Sequence, residues 1–182
     1  MDTTEEQTEL YAAGWDRFPW WWILGENLFF FAPLAIGFLG MWPLGVYGIP
    51  VVSLAYVLFA FATVGWLLRK HVCTHCVYYD EWCHLGWGKY AALFWQRRAG
   101  NPALGFKLTA VYMILPLIPI VGIVVVLFLY GFSWVLAGAL ALFIVLNGVQ
   151  FAVVRPRGCR HCKLCDTCPG SAASGRASRE RK

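Results

Sequence analysis

The stretch 108–154 reads LTAVYMILPLIPIVGIVVVLFLYGFSWVLAGALALFIVLNGVQFAVV and contains no Lys, Arg, His, Asp or Glu. A helix needs about 20 apolar residues to cross about 30 Å of hydrocarbon. The stretch therefore holds two crossings, 108–129 and 132–154, joined at Tyr130-Gly131. Two earlier runs match them, 22–42 and 44–68, joined at Trp42-Pro43. Lipid offers no partner to a free backbone N–H or C=O, and the runs lack the in–out alternation of a barrel, so helices are expected. The predicted fold is all-α: a polytopic membrane protein with four transmembrane helices as two tandem hairpins.

Composition agrees. Hydrophobic residues make up 59% of the chain and charged residues 14%, against roughly a quarter charged in soluble domains. There are too few charges to coat a water-facing surface. The Lys and Arg are concentrated in 69–107 and in the stretch after 154, while both short connections are uncharged. The positive-inside rule then predicts a multi-pass cell-membrane protein with the N-terminus, the 69–107 segment and the C-terminus in the cytoplasm. A nucleic-acid role is not expected of basic stretches that flank membrane spans. The opening MDTTEEQTELYAAGWD is acidic where a cleaved leader starts basic, so none is expected.

These features divide the chain into an acidic N-terminal segment (1–19), a first hairpin (20–68), a cytoplasmic segment (69–107), a second hairpin (108–154), a Cys-rich turn (155–169) and a basic tail (170–182) whose Gly/Ser/Arg composition predicts disorder. Residues 87–98, WGKYAALFWQRR, read as a short amphipathic interfacial helix. Trp20, Trp21, Trp22, Trp42, Trp66 and Trp134 read as interfacial anchors. Pro33, Pro50, Pro116 and Pro119 are expected to kink or open the spans.

A shift of 86 residues superposes the two halves without a gap. It aligns Arg69 with Arg155, Cys73 with Cys159, His75 with His161, Cys76 with Cys162 and Asp80 with Asp166. In the apolar spans the match is no better than chance. The repeated Arg-x3-Cys-x-His-Cys-x3-Asp cluster is what points to an internal duplication, with the two halves related by an axis along the membrane normal.

All seven cysteines, Cys73, Cys76, Cys83, Cys159, Cys162, Cys165 and Cys168, fall in the two basic segments. In a reducing compartment such cysteines favour metal or thiol chemistry over disulfides. C-x2-C lets one tight turn present two sulfurs to one ion, and two such turns supply the tetrahedron of a structural zinc site. Cys73, Cys76, Cys159 and Cys162 form that set, leaving Cys83, Cys165, Cys168 and His84 for a second site. The run Cys159-x2-Cys162-x2-Cys165-x2-Cys168-Pro169 also resembles the ferredoxin-type iron–sulfur motif C-x2-C-x2-C-x3-C-P, from which it departs in the last spacing. That resemblance implies an iron–sulfur cluster on the four tail cysteines. A third scheme is reactive dithiols, activated by neighbouring Arg and Lys. His75 and His161 sit inside the turns and are expected beside the ligands rather than among them.

Glu26 lies near the start of the first run. An ionisable group in a span marks a functional candidate, although Glu26 is close enough to the interface to snorkel. Asn147 and Gln150 are expected to hydrogen-bond between helices. No catalytic constellation stands out, so a non-enzymatic function is expected. Three functions remain open: a scaffold or adaptor with a structural zinc and a cytoplasmic protein partner, a membrane redox protein with an iron–sulfur centre or dithiols and a redox partner, and metal handling or transport.

Overall fold

In the computed structural model, which describes residues 11–165, 168 and 171–173, four helices are long and apolar enough to cross a membrane. They are α1 (Trp20–Gly40), α2 (Val51–His75), α4 (Pro102–Leu129) and α5 (Trp134–Arg160), with the short α3 (Trp87–Phe94) between α2 and α4. No strand occurs among the described residues. Large apolar side chains such as Leu24, Leu58, Phe128 and Val135 face outward along the spans. Water would not tolerate apolar faces of this extent, and lipid would.

The helices end where local chemistry tells them to, which differs from the limits of the apolar text. The chain between α1 and α2 occupies residues 41–50. There Val46 and Ile49 pair across a tight turn in which Tyr47 and Gly48 both adopt positive φ (52° and 80°). α2 therefore starts at Val51, after Pro50, and the connection is longer than the Trp42-Pro43 turn expected. α4 starts six residues before the apolar run because Asn101 caps it, its Oδ1 accepting from the Ala103 N–H at 3.0 Å, and Pro102 fits the first turn. At their other ends α2 and α5 continue through their basic residues, which suit a helix C-terminus. Cys73 and Cys159 consequently lie on the last helical turns of two spans, not beyond them.

Proline acts unevenly. Pro116 breaks α4 into Pro102–Ile114 and Leu117–Leu129, whereas Pro33 lies in an uninterrupted α1. α2 and α5 each contain wide i→i+5 turns, over Phe61–Leu67 and Gln150–Val154. The second precedes Pro156, which has no N–H to donate into the regular ladder.

α1 packs against α2, against the second half of α4 and against α5. The contact with α4 is a close approach of small residues to bulky ones: a Cβ on Gly37 would sit 2.8 Å from Pro119 Cγ, and one on Gly40 would sit 2.6 Å from Ile123 Cδ1. Around it Met41, Tyr56, Ala60, Val64, Leu68, Leu115 and Ile123 form the buried core. Small-residue contacts are how helices gain packing where lipid removes the hydrophobic drive. Tyr130 Oη donates to Pro43 O at 2.9 Å, so the two short connections touch each other. Asn147 Nδ2 donates to Phe143 O on its own helix rather than to a neighbour, whereas Gln150 lines a cavity together with Tyr112 of α4.

Gly37→Leu should destabilise the bundle by about 1–3 kcal/mol through overpacking, read as a lower thermal midpoint in detergent. Gly138→Ala, whose Cβ would meet nothing within 4 Å, should leave that midpoint unchanged.

Candidate functional site

The C-terminal turns of α2 and α5 set the first thiols. Arg69 precedes Cys73, and Arg155 precedes Cys159, by four residues, which stacks each pair on one helix face. Each helix then closes into a turn: the Cys76 N–H donates to Cys73 O at 3.2 Å, the Cys162 N–H to Cys159 O at 3.1 Å, and the Cys165 N–H to Cys162 O at 3.1 Å. The chain 76–86 folds back and adds Cys83 and His84.

All seven cysteines line one cavity of about 190 Å³, together with His84, Glu26, Arg69 and Arg155. By the same measure a single water needs roughly 10–15 Å³. The cavity thus has room for a group of many atoms. The thiols are distributed around it: among the described residues, no three His, Cys, Asp or Glu side chains are grouped closely enough to hold one metal ion. The cavity reaches into the bundle, where Phe30, Thr109, Tyr112 and Gln150 form its wall.

Its charges are unusual for a span. Arg69 is 9% exposed and its guanidinium lies 3.9 Å over the Trp87 ring; among the described residues it has no carboxylate partner and its Nε has no hydrogen-bond partner. Arg155 lies over the Tyr112 ring at 5.6 Å. Glu26 does not snorkel: it is 3% exposed, and its Oε2 is hydrogen-bonded to His84 Nδ1. Among the described residues, Glu26 Oε1, Gln150 Oε1 and Trp87 Nε1 are also buried without a partner. Unsatisfied groups of this kind are costly in a protein interior, and with Arg69 Nε four of them belong to residues lining this one cavity.

A strap of the N-terminal segment closes the site. The Tyr11 N–H donates to Lys163 O at 2.8 Å, Trp15 N–H to His161 O at 2.8 Å and Phe18 N–H to Trp82 O at 3.0 Å. Tyr78 is the rivet: its hydroxyl donates to Trp15 O at 2.5 Å and accepts from the Lys163 N–H at 3.1 Å. Lys163 also pairs with Asp16 and holds that carboxyl below its usual range. The strap so fastens the loop after α2 to the segment after α5.

Burial pushes the Cys162 thiol up to about 12 and the Cys76 thiol higher still. At neutral pH, without a bound cation, these two are neutral thiols and poor nucleophiles. At Cys73 and Cys159 burial likewise outweighs the lowering by Arg69 and Arg155.

His75 and His161 point elsewhere. His75 Nε2 contacts Gly100 O at 2.8 Å, and His161 Nδ1 contacts Arg157 O at 2.9 Å with its ring 4.3 Å from Trp15. Asp80 pairs with Lys89 at 2.9 Å on the surface, while its repeat partner Asp166 lies outside the described residues, as does most of the basic tail. Trp20 and Trp134 are exposed as anchors should be, but Trp22 packs with Trp15 and His161. Sequence reasoning overlooked Tyr78 and Gly158. It had seen the Arg at i−4 of each Cys, which was the available signal for the cations of the cavity.

Neither a family model, nor a curated protein, nor a solved structure matches this chain.

Tyr78→Phe should leave the Trp15 carbonyl and the Lys163 N–H unpaired, at about 1–3 kcal/mol for each that stays buried. The readout is a several-fold faster reaction of Cys76 and Cys162 with a maleimide in detergent-solubilised protein.

Proposed function

We propose that this chain is a multi-pass membrane redox protein that carries an iron–sulfur centre on its cysteines. The observation that carries the reading is the convergence of thiols from two distant segments on one large cavity, with no tight group of three among the described residues. A tetrahedral zinc site needs sulfurs about 2.3 Å from one ion, which crowds its ligands together. A cluster spreads its thiolates over several metal atoms and fills more space. The ferredoxin-like spacing of Cys159, Cys162, Cys165 and Cys168 favours the same chemistry.

The donor set fits such a group. Thiolate-ligated centres are anionic, and the buried Arg69 and the half-buried Arg155 supply positive charge beside Cys73 and Cys159. Hydrogen bonds and charge near the sulfurs, and exclusion of solvent, are the protein's means of setting a cluster potential. Arg69, Arg155 and the N-terminal strap are placed to do this. When bound, the cluster supplies a one-electron carrier. The chain's own part is to hold the thiols, offset their charge and keep water out. Lys and Arg gather in the segments that bear the cysteines, which supports a cytoplasmic location for the site and for both termini. A soluble redox partner would then reach it from that side. The repeat-related Arg69 and Arg155, Cys73 and Cys159, and Cys76 and Cys162 all line the cavity, which supports two tandem hairpins derived by duplication.

A structural zinc in a scaffold protein is the second reading. It is favoured by the paired C-x2-C turns, whose backbone N–H to carbonyl bonds match between the two copies.

Protein purified without oxygen should be brown and contain iron and acid-labile sulfide, and the double variant Cys73→Ser/Cys159→Ser should lose most of both. A colourless protein holding stoichiometric zinc would overturn the redox reading in favour of the scaffold.

A further inference from the structure

The buried Glu26–His84 pair is not explained by thiolate ligation alone. Glu26 lies on α1, in a helix that otherwise carries no charge, and His84 lies 58 residues away beside Cys83. A carboxylate this deep in a lipid-facing bundle is costly unless it is partnered or neutral. The chain makes specific room for it. A Cβ on Gly158 would fall 2.5 Å from Glu26 Oε1 and 3.4 Å from His84 Nδ1, so a side chain there would push the Glu26 carboxylate from its place. Gly158 is also the residue before Cys159. Pair, glycine and thiol are thus held by one contact between α1, α5 and the 76–86 loop.

The chemistry of the pair is directional. When His84 donates its Nδ1 hydrogen to Glu26, the ring is fixed in the tautomer whose Nε2 bears a lone pair. No partner for Nε2 occurs among the described residues. Metal-binding histidines characteristically present one nitrogen to the metal while the other is anchored by a carboxylate, which orients the ring and raises its basicity. His84 stands on the cavity wall with the seven cysteines.

We infer that His84 binds the thiolate centre through Nε2, as the one nitrogen ligand in a set otherwise made of sulfur, and that Glu26 is its positioning residue. This rests on the reading that the cavity holds a thiolate metal centre. Imidazole in place of thiolate removes one negative charge from the centre and raises its potential, as in clusters where histidine replaces cysteine. The Glu26 hydrogen bond opposes part of that rise by making the ring a stronger donor.

The test uses full-length protein purified without oxygen, with iron and sulfide measured on every sample. In the dithionite-reduced protein, pulsed EPR should show a strongly coupled nitrogen. His84→Cys should keep the iron and sulfide and abolish that coupling, and His75→Ala should leave it intact. Glu26→Gln should keep the iron and the nitrogen signal yet raise the midpoint potential, a change that a merely structural Glu26 would not produce. A full complement of iron and sulfide with no nitrogen coupling, or with coupling unchanged in His84→Cys, would overturn the assignment while leaving the redox reading intact. Should the sample hold zinc instead, the redox reading fails on its own. Cobalt substituted for that zinc then reads His84 directly: absorption bands that shift in His84→Cys support the ligand, and unchanged bands refute it.

Discussion

The contact between α1 and α4 governs the rest of the molecule. Gly37 and Gly40 let Pro119 and Ile123 approach the α1 backbone, and no larger residue would allow it. Because α1 also packs on α2 and α5, its position sets how the C-terminal ends of those two helices face each other. Those ends carry Cys73 and Cys159. In water, burial of apolar area could hold such a bundle with many nearly equivalent packings. In lipid that drive is absent, so shape at a few glycines decides the arrangement.

The second constraint is electrostatic. Arg69 and Glu26 are buried at a depth where isolated charge is expensive, and both line one cavity. The arginine is spread over the Trp87 face beside the Cys73 thiol, while the carboxylate is bonded to His84. Neither uses the other as its partner. A design aimed at stability alone would have joined them or left them out. Keeping them apart, each against a different potential ligand, is what a site does when its charges are meant for something held between them.

The four spans were legible because lipid imposes a coarse rule, and twenty apolar residues satisfy it whatever their order. Their limits were not. α4 begins at an Asn-Pro cap that hydropathy does not weigh, and the α1–α2 connection runs to Pro50 because Tyr47 and Gly48 take positive φ. The Arg-x3-Cys-x-His-Cys repeat does mark Cys73 and Cys159 at corresponding ends of two spans, because equal spacing from two helix ends is a geometric statement. Glu26 was misjudged since its position suggested escape to the interface. What holds it inward is His84, a partner 58 residues distant that no local pattern reveals. The strap was equally hidden: its bonds are made by backbone groups of Tyr11, Trp15 and Phe18, whose side chains say nothing about them.

The wide turns of α2 and α5 carry a lasting consequence for how this chain can vary. Each such turn houses a residue more than the ordinary helical count, just ahead of Arg69 and of Arg155. Removing one residue there would let the helix relax to its regular winding and swing everything downstream by about 100°. The arginine and its cysteine would then face lipid, with composition and hydropathy almost untouched. Point substitutions along these outward faces are readily absorbed, whereas single-residue deletions in 61–67 or 150–154 are not. Length, more than chemistry, is what these two short segments must conserve.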